Sequence, residues 1–284
     1  MTQNDGGMDA APTLLVGGTG KTGRRVAARL RRRGLPVRIG SRTGTPPFDW
    51  QTEHTWLPAL RGAAAVYLTY APDLAFPGAV EKVAAFAELA VTNGVNRVVL
   101  LSGRGEEGAL ASEQAVRDTG ARLTVVRCGV FNQNFSEDFL LQPVLDGEIV
   151  LPAGDVAEPF LDAEDIADVV VAALTDPRHI GRTYELTGPR LLTFADVAAE
   201  ISRATDRDVR YVAVDVEDYR VALAEAGMPG EFADLLATIF DGRNAHLDDG
   251  AWQAIGRQPR DFADYARDTA VTGVWTPAGK DIRR

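Results

Sequence analysis

The chain has 284 residues, of which 45% are hydrophobic and 25% are charged, and it carries a net charge of −10. This composition is typical of a globular protein and excludes a disordered chain, a collagen-like fibre and a disulfide scaffold. The acidic balance argues against nonspecific binding to nucleic acid or to anionic membranes, and no apolar run approaches the ~20 residues of a membrane span.

Residues 1–11 are polar and lack the basic and apolar segments of a signal peptide, so we expect a short flexible lead. Strand and helix patterns then alternate. The expected strands are 13–16, 37–39, 48–50, 64–69, 97–101 and 123–126, and the expected helices are 21–33, 77–93 and 107–119. This alternation predicts an α/β protein with a Rossmann-type, doubly wound parallel sheet, whose ligands bind beyond the carboxyl ends of the strands.

The pattern changes after residue 135. Capping signals at Asp162 and Thr193 each begin a helix, a strand is expected at 209–214, and two further helices are expected at 216–226 and 231–240. We expect residues 151–284 to form a smaller mixed α/β, substrate-binding region that also returns segments to the large sheet. The last of these helices carries an apolar face that belongs to a core or, alternatively, to a lid over a substrate cavity: Phe232, Leu235, Leu236, Ile239 and Phe240.

The segment GGTGKTG joins the first strand to the first helix and places glycines at 17, 20 and 23. The first glycine permits a tight turn, the second lets backbone N–H groups approach a pyrophosphate, and the third lets helix and strand pack closely. The phosphate-binding P-loop of nucleoside triphosphatases would need the motif GxxxxGK[ST], which this sequence does not contain. The loop therefore predicts a dinucleotide site.

The end of the second strand indicates which dinucleotide binds. No carboxylate lies between Gly23 and Asp49, where an NAD site usually places one to accept from the ribose 2′-hydroxyl. Ser41 and Arg42 stand there instead, and a hydroxyl and a guanidinium suit a 2′-phosphate. We therefore predict that residues 12–150 form a domain that binds NADPH or NADP+.

Several segments, in this order, resemble the NmrA-like branch of the atypical short-chain dehydrogenases/reductases. They are GGTGKTG, the SR pair, ALRGAAAVYLTYAP, VNRVVLLSG, TGARLTVVRCGVFNQNF, PFLDAEDIADVVVAAL and GRTYELTGP, with a weaker match in GRQPRDFADYARDTA. The branch includes NADPH-dependent quinone reductases, triphenylmethane dye reductases and isoflavone-reductase relatives. It also includes regulators that bind the dinucleotide without known chemistry.

The resemblance implies contacts for both ligands. The cofactor contacts it implies are Gly17, Thr19, Gly20, Lys21, Thr22, Gly23, Ser41, Arg42, Asp49, Trp50, Thr69, Tyr70, Ala71 and Pro72, with Asp49 and Trp50 near the adenine. It implies substrate contacts around Phe131 and Asn134 and from the smaller region.

The main short-chain branch uses a Tyr-x-x-x-Lys pair, in which a nearby cation lowers the tyrosine pKa. No tyrosine of this chain has a lysine four residues later, and the helix expected to carry the pair has Glu113 and Gln114. That mechanism therefore does not transfer. As proton donors or orienting groups we consider Tyr70, Ser102 and Arg104, since all three follow strand ends, although each also has an ordinary structural interpretation.

Three functions remain open. We favour a cytoplasmic NADPH-dependent reductase that passes hydride to a quinone-like or conjugated aromatic small molecule. The first alternative is a noncatalytic NADP(H)-binding redox sensor, and the second is an NAD-dependent epimerase or dehydratase. A pocket beside the nicotinamide would favour the enzyme, and a filled one the sensor. Neither a nucleic acid nor a membrane is expected as a partner, whereas a homodimer or a regulatory protein partner stays open.

The remaining reactive residue types favour structural roles. His54, His179 and His246 show no metal-ligand spacing, and His179 is expected at the surface. Cys128 follows a buried strand and is expected to be an inert thiol. The acidic residues at 162, 164, 165 and 168 suit helix capping and a solvated helix face. The arginines at 24, 25, 29 and 31–33 suit a solvated helix face, with the last three near the negative end of the helix.

Overall fold

The computed structural model describes residues 10–277. Within them, six parallel strands form one sheet: β1 (Thr13–Val16), β2 (Val37–Gly40), β3 (Ala65–Leu68), β4 (Arg97–Gly103), β5 (Arg122–Cys128) and β7 (Thr183–Leu186). Their order is β2-β1-β3-β4-β5-β7. The flexible lead predicted for residues 1–11 lies almost wholly outside the described residues.

Helices cover both faces of this sheet. Successive residues of a strand point to opposite faces, so each strand contributes side chains to two cores. One face packs against α2 (Trp56–Leu60), α3 (Ala79–Thr92) and α4 (Glu107–Asp118), with Val66, Leu68 and Val98 in its core. The other face packs against α1 (Lys21–Arg32) and α7 (Ala163–Thr175), with Leu15 and Tyr67 in its core. The predicted Rossmann-type doubly wound α/β fold is confirmed.

The strand expected at 48–50 is wrong. This segment is irregular, and Phe48 and Trp50 are buried in an aromatic cluster with Trp56 and Phe86. The indole N–H of Trp56 donates to the Asp49 carbonyl at 2.8 Å. Burial of the rings thus holds the segment over a helical layer and not along the free edge of β2.

The rest of the chain builds a smaller layer. It contains β6 (Glu148–Leu151) and β8 (Arg210–Ala213), which pair in parallel, and the helices α5 (Asn134–Glu137), α6 (Leu141–Asp146), α8 (Phe194–Thr205), α9 (Val216–Glu225), α10 (Glu231–Ile239) and α12 (Phe262–Val271). The helix α11 (Gly250–Ile255) instead packs against α7 and β7 at the large sheet. Two 3₁₀ turns lie at Glu53–Thr55 and Pro177–His179. Phe135, Phe160, Phe194 and Phe262 meet in a third core.

The predicted caps and the helices they begin are confirmed. Asp162 accepts from the Glu164 N–H at the start of α7, and Thr193 and Asp196 form a capping box at the start of α8. The strands β6 and β7 and the helices α11 and α12 were not predicted. Beyond residue 150, β7 is the last strand of the large sheet and α7 packs on one of its faces. Between residues 10 and 277, no helix is long and apolar enough to cross a membrane.

Candidate functional site

The glycine loop is packed so tightly that two of its glycines leave no room for a side chain. Gly17 has a φ of +74°, and a Cβ there would stand 2.1 Å from the Thr69 Oγ1. A Cβ on Gly23 would stand 2.3 Å from the Gly17 carbonyl oxygen. The loop is therefore held by the backbone of α1 on one side and by the residue after β3 on the other.

The start of α1 suits a phosphate. Its N-cap residue, Gly20, has no side chain that could accept from the first N–H groups, and the first turn contains no acidic residue. The first N–H groups of a helix need partners, and the helix dipole makes this end favourable for an anion. Gly17–Gly23 thus fit the pyrophosphate of a dinucleotide, which is the arrangement expected from the sequence.

At the end of β2, two arginines have different surroundings. Arg38 donates through Nη1 to the carbonyls of Ala59 and Arg61, at 2.7 and 2.6 Å, so its side chain is already engaged. Arg42 is exposed beside the half-buried Ser41, and it forms no ion pair among the residues that the structure describes. Its guanidinium is therefore available to a ligand at this edge of the sheet.

The segment predicted near the adenine lies next to Thr69–Pro72, which were also predicted to contact the cofactor. Trp50 is buried, donates through its indole N–H to the Thr69 carbonyl at 3.2 Å and packs against Tyr70 with ring centroids 5.0 Å apart. The Asp49 carboxylate accepts from the Gln51 N–H at 3.0 Å. Thr69–Pro72 follow β3 and line the cleft described next.

A cleft of about 740 Å³ opens at the glycine loop and extends over the carboxyl ends of the strands into the smaller layer. At its near end stand Gly17, Gly20, Lys21 and Thr22. Its far walls are mostly apolar and include Phe139, Leu140, Phe194, Tyr219, Leu223, Met228, Phe232, Leu235, Leu236, Ile239 and Phe240. All five apolar residues of the α9–α10 region that were assigned to a core or a lid therefore line this cleft, and Leu236 and Phe240 also belong to the third core.

Lys21 connects the glycine loop to the predicted substrate contacts. Its ammonium donates to the Asn134 Oδ1 at 2.9 Å, forms an ion pair with Asp138 and lies 5.9 Å from the centroid of the Phe131 ring. Lys21, Phe131 and Asn134 all line the cleft. The structure thus brings predicted cofactor and substrate residues to one wall.

The three residues considered as proton donors or orienting groups also line the cleft, but two of them already bind carboxylates of the protein. Ser102 is buried and donates to the Glu113 carboxylate at 2.7 Å. Arg104 is buried and pairs with Asp248 at 2.6 Å and with Glu185 at 3.2 Å. Burial, followed by the charge of Glu81, raises the pKa of Tyr70, which makes it a weaker acid. Their catalytic roles stay predictions.

Three carboxyl groups on the cleft wall were not predicted: Asp138, which pairs with Lys21, and two that follow strands of the large sheet. Asp73 follows β3 and Glu106 follows β4, and both line the cleft. Burial in the first place, and the neighbouring Asp73 in the second, raise the pKa of Glu106 to about 8. An acidic residue soon after each of two adjacent parallel strands is the sequence signal that could have identified them, because such strand ends meet at one edge.

Several residues expected on solvated faces are paired or buried. Arg25 and Arg29 on α1 form ion pairs with Glu137, Glu164 and Asp168, which ties α1 to α5 and α7. The expectation of a solvated helix face is therefore wrong for these two arginines, because α7 packs beside α1 in the same layer.

The acidic cluster at the start of α7 is also packed. Asp162 and Asp165 are buried and pair with Arg260 and Arg257, respectively, so the solvated face expected there is wrong for both. His179, expected at the surface, is buried with its Nδ1 2.8 Å from the Tyr184 hydroxyl. The arginines that cover Asp162 and Asp165 are distant in sequence, whereas the partner of His179 lies nearby on β7.

Cys128 is buried, as predicted, and burial raises the pKa of its thiol, so it is not a reactive nucleophile. Within residues 10–277, no group of three or more histidine, cysteine or acidic side chains could hold a metal ion.

Glu158 is fully buried, and neither of its carboxylate oxygens has a hydrogen-bond partner in the described part of the chain. Burial raises the pKa of Glu158 from 4.5 to about 7, although Arg104 opposes the shift. Between these pH values the folded protein keeps a proton that the unfolded chain has lost. Stability therefore falls as the pH rises through this window, by up to about 3 kcal/mol from this group.

We expect Glu158→Gln to remove this share of the pH dependence. Relative to wild type, the variant gains stability steadily from pH 4.5 to 7 and keeps a constant difference above pH 8. Urea unfolding at a series of pH values measures it. Glu88→Gln, which changes an exposed carboxylate on α3, serves as the control and should leave the pH dependence unchanged. A Glu158→Gln curve parallel to the wild-type curve would contradict the assignment.

The fold and the loop define the class: a doubly wound α/β protein with a glycine-rich first turn and a cleft at the carboxyl end of its sheet. The family model "NmrA-like family" matches residues 111–264. The agroclavine dehydrogenase of Claviceps fusiformis is 33% identical over 289 residues, which cover 92% of this chain and 98% of the relative. This chain therefore belongs to the NmrA-like family, as the sequence indicated.

Two further comparisons agree in coverage and fold. The NAD(P)H azoreductase of Xenophilus azovorans is 32% identical over 280 residues, which cover 89% of this chain and 96% of that protein. The triphenylmethane reductase of Citrobacter sp., solved in complex with NADP(H), superposes with a TM-score of 0.70 at 21% identity and covers 91% of this chain and 99% of that one. Oxidoreductases that are named for different substrates are thus similar to this chain along nearly its whole length.

Proposed function

We propose that this chain is an NADPH-dependent reductase that transfers hydride to a planar conjugated or quinone-like aromatic acceptor. One observation carries the proposal: an open, mostly apolar cleft of about 740 Å³ continues directly from the glycine loop. A noncatalytic dinucleotide sensor has no need of such a space beside its ligand, whereas a reductase needs room for a second molecule there. The azoreductase and the triphenylmethane reductase, both similar to this chain, are named for conjugated aromatic substrates.

The protein's own residues fit the dinucleotide. The N–H groups at the start of α1 would hold the pyrophosphate, and Gly17 and Gly20, which line the cleft, have no side chain to block its approach. Arg42 and Ser41, at the end of β2, would bind the 2′-phosphate, since a guanidinium and a hydroxyl suit it. When bound, NADPH supplies a hydride, and the protein contributes orientation and an apolar pocket that excludes water.

The smaller layer contributes the acceptor's side of the cleft. Tyr219 and Phe232 line the cleft and are only half-buried, so their rings offer flat surfaces against which an aromatic acceptor can stack. Residues 12–150 would thus hold the dinucleotide and residues 151–284 most of the acceptor. A cytoplasmic location supplies NADPH and fits the buried free thiol of Cys128.

The direct test follows NADPH oxidation by its absorbance across a panel of quinones, azo dyes and triphenylmethane dyes. We expect turnover with at least one planar acceptor and a lower KM for NADPH than for NADH. Tight NADPH binding without turnover on any acceptor would overturn the proposal in favour of the sensor. Interconversion of a sugar-nucleotide substrate with bound NAD would instead support an epimerase.

Filling the cleft separates acceptor binding from cofactor binding. Leu235 lines the cleft and is half-buried, so Leu235→Trp should raise the KM of a bulky acceptor at least tenfold while leaving the Kd of NADPH within about twofold. Val221→Trp, on the exposed face of the neighbouring α9, is the matched control and should behave as wild type. Equal acceptor kinetics in the two variants would show that the acceptor binds elsewhere.

A further inference from the structure

The carboxyl group of Glu106 lies directly over the carboxyl end of β4. A Cβ built on Gly103, the last residue of that strand, would stand 2.4 to 2.5 Å from the Glu106 carboxyl atoms. Only 6% of Glu106 is exposed, and it lines the cleft. Its Oε2 has no hydrogen-bond partner among residues 10–277. A buried carboxyl with one unpartnered oxygen at the wall of a ligand cleft is costly to keep and suits a group that acts on a ligand.

The groups around Glu106 keep it neutral. Asp73, from the loop after β3, is the nearest charge and raises the pKa, and its own carboxylate is fixed by the Ala75 N–H at 2.8 Å. Arg243 binds the Gly105 carbonyl at 2.7 Å but is paired with Asp241. Arg104 is paired with Glu185 and Asp248, and Glu107, the next residue, is exposed. With its pKa near 8, Glu106 carries its proton at neutral pH.

Other polar groups of the cleft serve less well as proton donors. Ser102 already donates its hydroxyl proton to Glu113. The ammonium of Lys21 is held by Asn134 and Asp138. Burial and then the charge of Glu81 raise the pKa of Tyr70, which makes its hydroxyl a weaker acid. Glu106 is therefore the buried carboxyl on this wall that holds a proton at pH 7, and that proton hydrogen-bonds to the neighbouring Asp73 carboxylate.

We propose that Glu106 is the proton donor of the reaction and that Asp73 is its positioning residue, an inference that rests on the proposed reductase function. The acceptor gains two electrons and one hydrogen as hydride, which converts NADPH to NADP+. Its developing anionic oxygen or nitrogen then takes the proton from the Glu106 carboxyl as the O–H bond of that carboxyl breaks. The resulting Glu106 carboxylate regains a proton from water through the open mouth of the cleft.

Single-turnover NADPH oxidation with an acceptor found in the panel, measured from pH 6 to 9.5, tests the donor. In wild type the rate should fall as the pH rises through about 8, because only the protonated carboxyl donates. Glu106→Gln should be at least 100-fold slower with no such fall. Asp73→Asn removes the neighbouring negative charge and should move the fall to lower pH. Glu107→Gln makes the same change on the exposed next residue and should match wild type.

A second measurement needs neither cofactor nor turnover. In a Glu158→Gln background, which removes the contribution of that other buried carboxyl, the infrared carbonyl band of a protonated carboxyl should be present without cofactor at pH 6.5, disappear near pH 8 and be missing when Glu106→Gln is added. Asp73→Asn should lose the band at lower pH, which keeps the test valid if Glu106→Gln does not fold.

The outcomes separate the two proposals. Wild-type rates and pH profile in Glu106→Gln would overturn the donor while leaving the reductase intact. The same holds if Asp73→Asn leaves both the pH profile and the band unmoved. Absence of wild-type turnover with every acceptor would overturn the reductase function, and the donor role with it.

Discussion

Arg42→Glu should raise the Kd of NADPH by about 100-fold or more and change the Kd of NADH by less than about threefold. Arg42 is exposed at the end of β2, where a 2′-phosphate would lie, and it has no ion pair among the described residues. A charge-assisted contact to phosphate contributes roughly 1.5–3 kcal/mol, and each 1.4 kcal/mol is tenfold in affinity. The introduced carboxylate would also repel the phosphate but would accept from the 2′-hydroxyl of NADH.

Fluorescence titration of the reduced nicotinamide measures both constants. Arg122→Glu is the matched control, since it makes the same change in net charge on an exposed residue at the opposite end of the sheet, at the start of β5. It should weaken both cofactors little and equally. Equal losses of NADPH and NADH in Arg42→Glu would show that this arginine does not bind the 2′-phosphate.

The layered fold could be predicted because the signals that specify it are local. Short apolar runs such as Thr13–Val16, each followed by a helix, indicate parallel strands covered on both faces. The segment around Phe48 was mistaken for a strand because its apolar residues are buried by aromatic packing, which the alternation pattern does not distinguish from a sheet. The strand β7 was missed because its neighbour β5 is far away in the sequence, and the pairing, not the residues, makes it a strand.

The candidate site, like the fold, could be predicted only where its signals are local in the sequence. The glycine loop and the end of β2 are contiguous motifs, so their residues could be named before their positions were known. The raised pKa of Glu106 depends on its burial against Gly103 and on a carboxylate after another strand, and no single segment contains that information. The ion pairs of Arg25 and Arg29 likewise arise because α7 packs beside α1, some 140 residues later.

Gly23→Ala should abolish measurable dinucleotide binding and lower the Tm by roughly 5–10 °C. Gly23 lies in the first turn of α1, and a Cβ there would stand 2.3 Å from the Gly17 carbonyl oxygen and 2.7 Å from the Gly18 Cα. Both are backbone atoms, so no side chain can rotate away and α1 must move from the loop. Overpacking of this kind costs about 1–3 kcal/mol, and the displaced N–H groups no longer face a pyrophosphate.

Gly20→Ala separates the loss of dinucleotide binding from the loss of thermal stability within the same loop. Gly20 has a negative φ, and a Cβ there meets only the Gly17 carbonyl oxygen, at 3.3 Å. We expect its Tm to stay within about 2 °C of wild type, while NADPH and NADH binding both weaken because the methyl group stands where the phosphates approach. Thermal unfolding with and without NADPH measures both variants. A stable Gly20→Ala that still binds NADPH like wild type would mean that the pyrophosphate does not rest on this turn.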